Sequence, residues 1–328
     1  MTSAANPLSA GLPQTGREPA PPASLDGFRQ EPGYLGADHA RNERRTWIVS
    51  GVCALTLAAQ LIGGTMFHSM ALTASGLHMA AHLAVLLTAS VAYALARRLS
   101  GHPRLAFGAG KLGYLAGFAN AVVLAVTAVL IAVESVQRLI TPEAVDYAGA
   151  IPMAFAGLVV SLVCVWLLRP VDQRHRHDPD GDLNLAAAHL HLSADAAVSA
   201  ISIAGLLAGQ ALGWRAADPL LGLVGAALVA QFSVSLIRRA GAALLDVTPS
   251  PALGQEIRRR LESGGAQVLD LHLWRLGPGH HAAIAVVADE PAAPVETYRA
   301  RLADIAGLSH LTIEVRRRGG PPSTELGR

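Results

Sequence analysis

The chain has 328 residues, of which 52% are hydrophobic and 15% are charged, whereas an average soluble domain carries about 25% charged residues. This composition and the mean hydropathy of +0.37 point to a bilayer. The formal net charge of only +2 gives no global basic field, so nucleic acid is not expected as a partner.

The N-terminal segment is rich in Pro, Ala, Gly and Ser and lacks the basic-then-apolar order of a cleaved signal peptide. Residues 1–45 are therefore predicted to form a disordered cytoplasmic tail.

Six stretches are predicted to cross a membrane, because a spanning helix needs about 20 mostly apolar residues. They cover approximately residues 46–66, 71–96, 114–138, 147–168, 184–209 and 217–238. Basic residues concentrate in alternate connections: Arg41, Arg44 and Arg45; Arg97, Arg98, Arg104 and Lys111; Arg169, Arg174 and Arg176; Arg238 and Arg239. Since cytoplasmic loops carry the excess of Arg and Lys, residues 46–240 are predicted to form an all-α, multi-pass domain in the inner membrane with both termini cytoplasmic.

A small α+β domain is predicted to follow at residues 249–317. The pattern indicates helices at about 252–262 and 294–306 and strands at about 267–275, 281–288 and 310–316. A Gly277-Pro278-Gly279 turn favours a hairpin between the first two strands. Because about 70 residues leave only a modest core, we expect this domain to dimerise, with a flexible tail at 318–328.

Four ionisable side chains within the predicted spans are the candidate functional site. His78 and His82 lie at i and i+4 in the second span, and His191 and Asp195 repeat that spacing in the fifth. Residues at this spacing share one helix face, and both pairs lie near the middle of the bilayer. Three nitrogens and one carboxylate oxygen are enough for a tetrahedral site for zinc or a similar ion.

The chemistry of these ligands narrows the cargo and indicates a mechanism. Imidazole suits transition metals such as Co²⁺, Ni²⁺ and Zn²⁺, whereas Mg²⁺ and Ca²⁺ prefer oxygen ligands. Metal binding must displace protons from the histidines. We therefore expect metal/proton antiport, with metal ions and protons as the transported species, no resident cofactor, and membrane lipid around the spans.

Two other functions use buried histidines. An intramembrane metal-dependent hydrolase or oxidoreductase needs a water-activating base beside an open metal position, and the sequence contains no His-Glu-x-x-His motif. A haem protein could use paired histidines as axial ligands, but i, i+4 spacing stacks both on one side, and Asp195 would have no role. The ligands alone do not record whether transport is export or import.

Two further pairs have simpler interpretations. Cys53 and Cys164 lie in apolar stretches without a Cys-x-x-Cys pair, so they are predicted to be packing residues. Glu134 is predicted to pair with Arg138 at i+4.

From about Thr46 to Arg316 the sequence resembles the cation diffusion facilitator family of metal exporters. Members pair His/Asp-x-x-x-Asp on the second span with His-x-x-x-Asp on the fifth, which correspond here to His78, His82, His191 and Asp195. Further matching segments are Phe107-Gly108-Ala109-Gly110-Lys111, Glu134-Ser135-Val136, Asp218-Pro219 and Asp270-Leu271-His272-Leu273-Trp274.

The run His78-Met79-x-x-His82 is similar to the DmeF-like branch, which is associated with cobalt and nickel export. His82 stands where zinc-type members usually have Asp. Two departures concern that branch: Ser75 stands where it commonly has Asp, and only His175 and His177 occupy a loop that is often His-rich. The resemblance therefore implies cobalt, nickel or zinc as cargo, without a ranking.

The resemblance also implies that the α+β domain is a cytoplasmic dimerisation domain with a ferredoxin-like, metallochaperone-like fold. His272 would match a regulatory metal ligand. The second ligand falls near Ala285, which cannot bind metal, and the remaining candidates are His280, His281 and His310. A complete cytoplasmic metal site is therefore not predicted.

Overall fold

The computed structural model describes residues 33–66, 70–141, 147–169, 182–214 and 216–317. Within these ranges, the side chains of residues 64, 70–75, 77, 78 and 218 lie outside the described part. Most of the predicted N-terminal tail and the predicted tail at 318–328 also lie outside it.

Six long helices form the first part of the fold. They are α1 His39–Met66, α2 Met70–Leu99, α3 Leu112–Ile140, α4 Tyr147–Leu167, α5 Leu183–Leu212 and α6 Ala217–Leu244. All six are long and apolar enough to cross a membrane, which confirms the predicted number of spans. Large apolar side chains such as Leu55, Phe155 and Trp166 are exposed on the helix surfaces, as expected where helices face lipid.

Helix α1 begins earlier than the sequence predicts. Residues 39–45, assigned to the disordered tail, are helical. Hydropathy marks only the apolar length of a span, whereas a helix continues wherever its backbone hydrogen bonds and polar side chains are satisfied. Here Asn42 donates to Asp182 at 3.0 Å, and Glu43 accepts two hydrogen bonds from Arg97 at 3.0 Å each.

A small α+β region follows, from Pro251 to Arg317. Its elements are α7 Pro251–Glu262, β1 Gln267–Gly277, β2 His280–Asp289, α8 Val295–Leu302 and β3 Leu308–Arg317. The three strands lie in the order β1-β2-β3, with β1 antiparallel and β3 parallel to β2. This order confirms the predicted class of six apolar helices followed by an α+β region.

One face of the sheet is covered by the two helices. Ile257 and Leu261 of α7 and Tyr298 and Leu302 of α8 form a buried cluster with strand residues such as Val287. The opposite face carries exposed Asp270, His272 and Ile284. Burial on one side only is the usual arrangement of a small sheet with alternating side chains.

The α+β region packs against the connection between α2 and α3. At Gly110 an added Cβ would lie 2.4 Å from the Leu276 carbonyl oxygen, and at Gly277 it would lie 2.1 Å from that of Tyr34. Only glycine permits such close backbone contact. We call the contact among Tyr34, Gly110 and Gly277 the backbone junction.

Aromatic side chains extend this contact. The Phe107 ring makes edge-on contacts with Trp274 and His310, each with centroids 5.6 Å apart. Burial and then the nearby charge of Arg299 lower the pKa of His310, which favours the neutral form of its ring. The ion pair between Lys111 and Asp246, at 2.5 Å, ties the start of α3 to the segment after α6.

Gly277→Ala is expected to destabilise the protein by about 1–3 kcal/mol, because the added methyl group would overpack the backbone junction. The measurement is thermal unfolding of the detergent-purified protein, followed by tryptophan fluorescence. Gly254→Ala in α7 is the matched control, because its added Cβ meets nothing within 4 Å. Equal unfolding temperatures for the two variants would contradict the steric argument.

Candidate metal-transport site

Helices α2 and α5 bring two predicted ligands into direct contact. His82 Nδ1 lies 3.1 Å from His191 Nε2, and the two rings meet edge-on with centroids 5.2 Å apart. Both residues are buried, with exposed fractions of 5% and 6%. The sequence pattern predicted this meeting of the second and fifth spans.

Asp195 completes a connected chain of polar groups. Its Oδ1 lies 3.3 Å from His82 Nε2, and its Oδ2 accepts a hydrogen bond from Ser161 Oγ of α4 at 2.5 Å. Within an apolar bundle, ionisable groups persist where they pair with one another. We call the linked set Asp195, His82 and His191 the His-Asp chain.

The fourth predicted ligand, His78, has a side chain outside the described part of the structure. Its backbone lies in α2, one turn before His82. Its place in the site therefore stays a prediction.

The spacing within the His-Asp chain suits a transition metal in one respect. Ligand atoms about 2.0–2.1 Å from a tetrahedral metal lie about 3.3 Å from one another, close to the two distances observed. These distances, however, involve opposite nitrogens of His82. Among the described side chains, no three His, Cys, Asp or Glu groups converge on one point, so His82 must reorient to share an ion with both neighbours.

A second carboxylate fixes the start of α5. Asp182 Oδ1 caps the helix by accepting from the backbone N–H groups of Asn184 and Leu185, at 3.1 and 3.2 Å. Its Oδ2 accepts from Asn42 of α1 and from the Tyr93 hydroxyl of α2. Asp182 thereby anchors α5, which carries His191 and Asp195, against α2, which carries His82.

Sequence reasoning missed both Ser161 and Asp182. A single serine in an apolar span is common and carries no distinctive pattern, so nothing local marks Ser161 as a partner of Asp195. An aspartate just before a helix is a recognisable N-cap signal, and that signal could have identified Asp182.

The six-helix part of the chain matches a known protein family. The profile described as "Cation efflux transmembrane domain" matches residues 46–245, a stretch that contains all four predicted intramembrane ligands. The chain belongs to the cation diffusion facilitator family.

Curated relatives in this family are transporters. The zinc transporter ZitB of Escherichia coli is 32% identical over 239 residues, covering 72% of this chain and 74% of ZitB. The cadmium, cobalt and zinc/H(+)-K(+) antiporter of Bacillus subtilis is 27% identical over 78% of this chain and 82% of its own length. The metal cation efflux system protein CzcD of Cupriavidus metallidurans is 26% identical over 85% of this chain and 90% of its own length. Because the chain belongs to a family of transporters, the enzyme and haem interpretations of the sequence are set aside.

In this cation diffusion facilitator, the predicted ligand of the α+β region stands apart from other candidates. His272 is exposed on β1, with Nε2 2.9 Å from Asp270 Oδ2 of the same strand. Its partner across the ladder is Ile284, while Ala285 is buried opposite Leu271.

The remaining histidines of the region have other surroundings. His280 Nδ1 lies 2.7 Å from Ser309 Oγ, His281 is buried, and His310 packs on Phe107. No group of three His, Cys, Asp or Glu side chains that could hold a metal ion includes His272 among the described residues. In α3, the predicted ion pair is confirmed, because Arg138 Nη2 lies 2.6 Å from Glu134 Oε1. His175 and His177 lie outside the described residues.

Ser161→Ala is expected to weaken Zn²⁺ or Co²⁺ binding about 10- to 100-fold, because partners that orient a ligand carboxylate contribute that much to metal affinity. Titration calorimetry on the purified transporter measures the effect. Thr88→Ala is the control, since the exposed Thr88 hydroxyl binds only the Ala84 carbonyl of its own helix. Equal affinities in the two variants would show that Asp195 needs no support from Ser161.

Proposed function

We propose that this chain exports divalent transition-metal ions from the cytoplasm through a site formed by His78, His82, His191 and Asp195. The observation that carries the proposal is the His-Asp chain. It places two buried imidazoles in contact with a half-buried carboxylate between the helices of a cation efflux domain.

The donor set supports cobalt, nickel or zinc as cargo. Imidazole nitrogens bind all three well, and a mostly nitrogen shell disfavours Mg²⁺ and Ca²⁺. Relatives are named for zinc, cadmium and cobalt. The His78-Met79-x-x-His82 run supports a place in the DmeF-like branch, in which His82 replaces the aspartate of zinc-type members and shifts preference toward cobalt and nickel.

Proton exchange follows from the chemistry of the ligands. A metal ion needs a lone pair on each imidazole that binds it, so an imidazolium must first lose a proton. Each imidazolium that binds the ion therefore releases one proton. The Bacillus subtilis relative is named as an antiporter that uses H⁺, which supports metal/proton antiport.

Orientation and assembly are proposed on charge and exposure. Apart from Arg138, the described basic residues that flank the spans belong to the ends of the helices next to the α+β region, which favours a cytoplasmic location for that end and for both termini. We further propose that residues 249–317 form the dimerisation domain of a homodimer. The exposed sheet face, with Ile284 38% exposed beside His272, is the surface available for this contact.

Asp195→Ala is expected to reduce metal uptake into inside-out vesicles to background, because Asp195 is the one anionic ligand among the four.

His82→Asp is expected to raise the ratio of zinc to cobalt transport by about tenfold, since an oxygen ligand replaces a nitrogen. Uptake of Co²⁺, Ni²⁺ and Zn²⁺ under a proton gradient measures both. Glu134→Gln, at an exposed carboxylate, is the control and should retain wild-type uptake; normal transport by Asp195→Ala would overturn the proposed site.

Transport is also expected to follow an imposed pH gradient. In proteoliposomes, an acidic interior should drive Zn²⁺ or Co²⁺ inward, and the entering metal should be matched by protons leaving, because both compete for the same lone pairs. A fluorescent pH indicator inside the liposomes measures the proton flux. Metal uptake that is insensitive to the gradient would contradict antiport and leave facilitated diffusion.

A further inference from the structure

The two cysteines of the chain form a buried pair between α1 and α4. Cys53 Sγ and Cys164 Sγ lie 3.7 Å apart, and each residue is 1% exposed. Both thiols are free. The sequence predicted packing residues, and the structure brings the two together across 111 positions of chain.

The separation of the sulfurs matches two thiolates on one metal ion. With metal–sulfur bonds of about 2.3 Å and tetrahedral angles, the two sulfurs lie about 3.8 Å apart. A disulfide would need them near 2.05 Å. The pair can thus accept an ion of the size of Zn²⁺ with almost no movement of either helix, and a larger ion such as Cd²⁺ requires the two sulfurs to move slightly apart.

Charge favours the same conclusion. The pair lies in an apolar cluster with Val49, Met79 and Leu192, where an isolated charge would be costly. A divalent ion held by two thiolates is neutral overall. The Met79 thioether in the same cluster adds a soft donor type, and thiolate and thioether ligands select soft cations.

The pair is also close to the proposed transport site. Ser161, which binds Asp195, precedes Cys164 by about one turn of α4, or roughly 4.5 Å along the axis. Cys164 lies nearer than Ser161 to the end of α4, and α1 starts at that same end, where Arg45 donates to the Arg169 carbonyl at 2.9 Å. The cysteines therefore lie between this end of the bundle and Asp195.

We propose that Cys53 and Cys164 form a second metal site, which binds a soft divalent cation such as Cd²⁺ through two thiolates beside the transport site. Binding forms two metal–sulfur bonds and releases the two thiol protons to water, so no oxidant or reductant is needed. The role of this site in supplying ions to Asp195 rests on the proposed transport function. Binding itself does not, and the two are tested separately.

The test uses the full-length protein in detergent with a phosphine reductant and Cd²⁺ alone as the probe. Cd²⁺ bound to thiolate gives an ultraviolet charge-transfer band. Because the chain has only 2 cysteines, any such band comes from this pair. We expect the band to saturate at one Cd²⁺ per chain in the wild type and in Asp195→Ala, with release of two protons per ion at the pair in Asp195→Ala, and to be absent in Cys53→Ser and in Cys164→Ser.

The outcomes separate this inference from the transport proposal. No band in the wild type at saturating Cd²⁺, or a band that persists in either single serine variant, overturns the paired site and leaves the cysteines as packing residues. Should a serine variant fail to fold, the wild-type titration alone decides whether the pair binds Cd²⁺.

Zn²⁺ uptake near wild-type level in the serine variants, with Cd²⁺ uptake lowered several-fold, supports a role in soft-metal supply. Equal effects on both metals overturn that role. Absence of transport by the wild type, with the band intact, would instead overturn the transport proposal.

Discussion

The low exposure of Asp195, whose side chain is 13% exposed, is the constraint on which the site depends. A carboxylate inside an apolar helix bundle must find hydrogen-bond donors within the protein, because lipid offers none. Ser161 of α4 donates to Asp195, His82 Nε2 of α2 lies 3.3 Å from the carboxylate, and His82 is joined in turn to His191 of α5. One half-buried carboxylate thus ties three helices together, and the histidine beside it belongs to the proposed metal site.

Asp182 gives the same helix a second fixed point. It caps α5 and accepts hydrogen bonds from α1 and α2, so the rotation of α5 about its axis is set at its start as well as at Asp195. Rotation matters because a helical turn is 3.6 residues, and an error of one residue moves a side chain by about 100°. The alignment of His191 with His82 therefore depends on contacts remote from the site.

Local patterns were enough to predict the six spans, the hairpin, the contacts of His82 with His191 and Asp195, and the pairing of Glu134 with Arg138. Hydropathy depends on runs of neighbouring residues, and the i, i+4 spacing places His191 and Asp195 on one face whatever the rest of the fold does. Ser161 and the pairing of Cys53 with Cys164 depend on how α4 packs against α5 and α1, which no run of sequence encodes. The early start of α1 depends likewise on partners from other helices, such as Asp182 for Asn42.

In the proposed site, a histidine at position 82 gives a different net charge from an aspartate at the same position. With three neutral imidazoles and one carboxylate, a bound divalent ion leaves a net charge of about +1, whereas a second carboxylate would make the complex neutral. Because uncompensated charge is costly in the bundle, His82 weakens the electrostatic part of binding and leaves affinity to the strength of metal–nitrogen bonds, which differs among transition metals. His82 also binds His191 through one nitrogen and Asp195 through the other. An ion that binds His82 must break at least one of these contacts, so in the proposed site metal entry and proton exchange would involve the same residue.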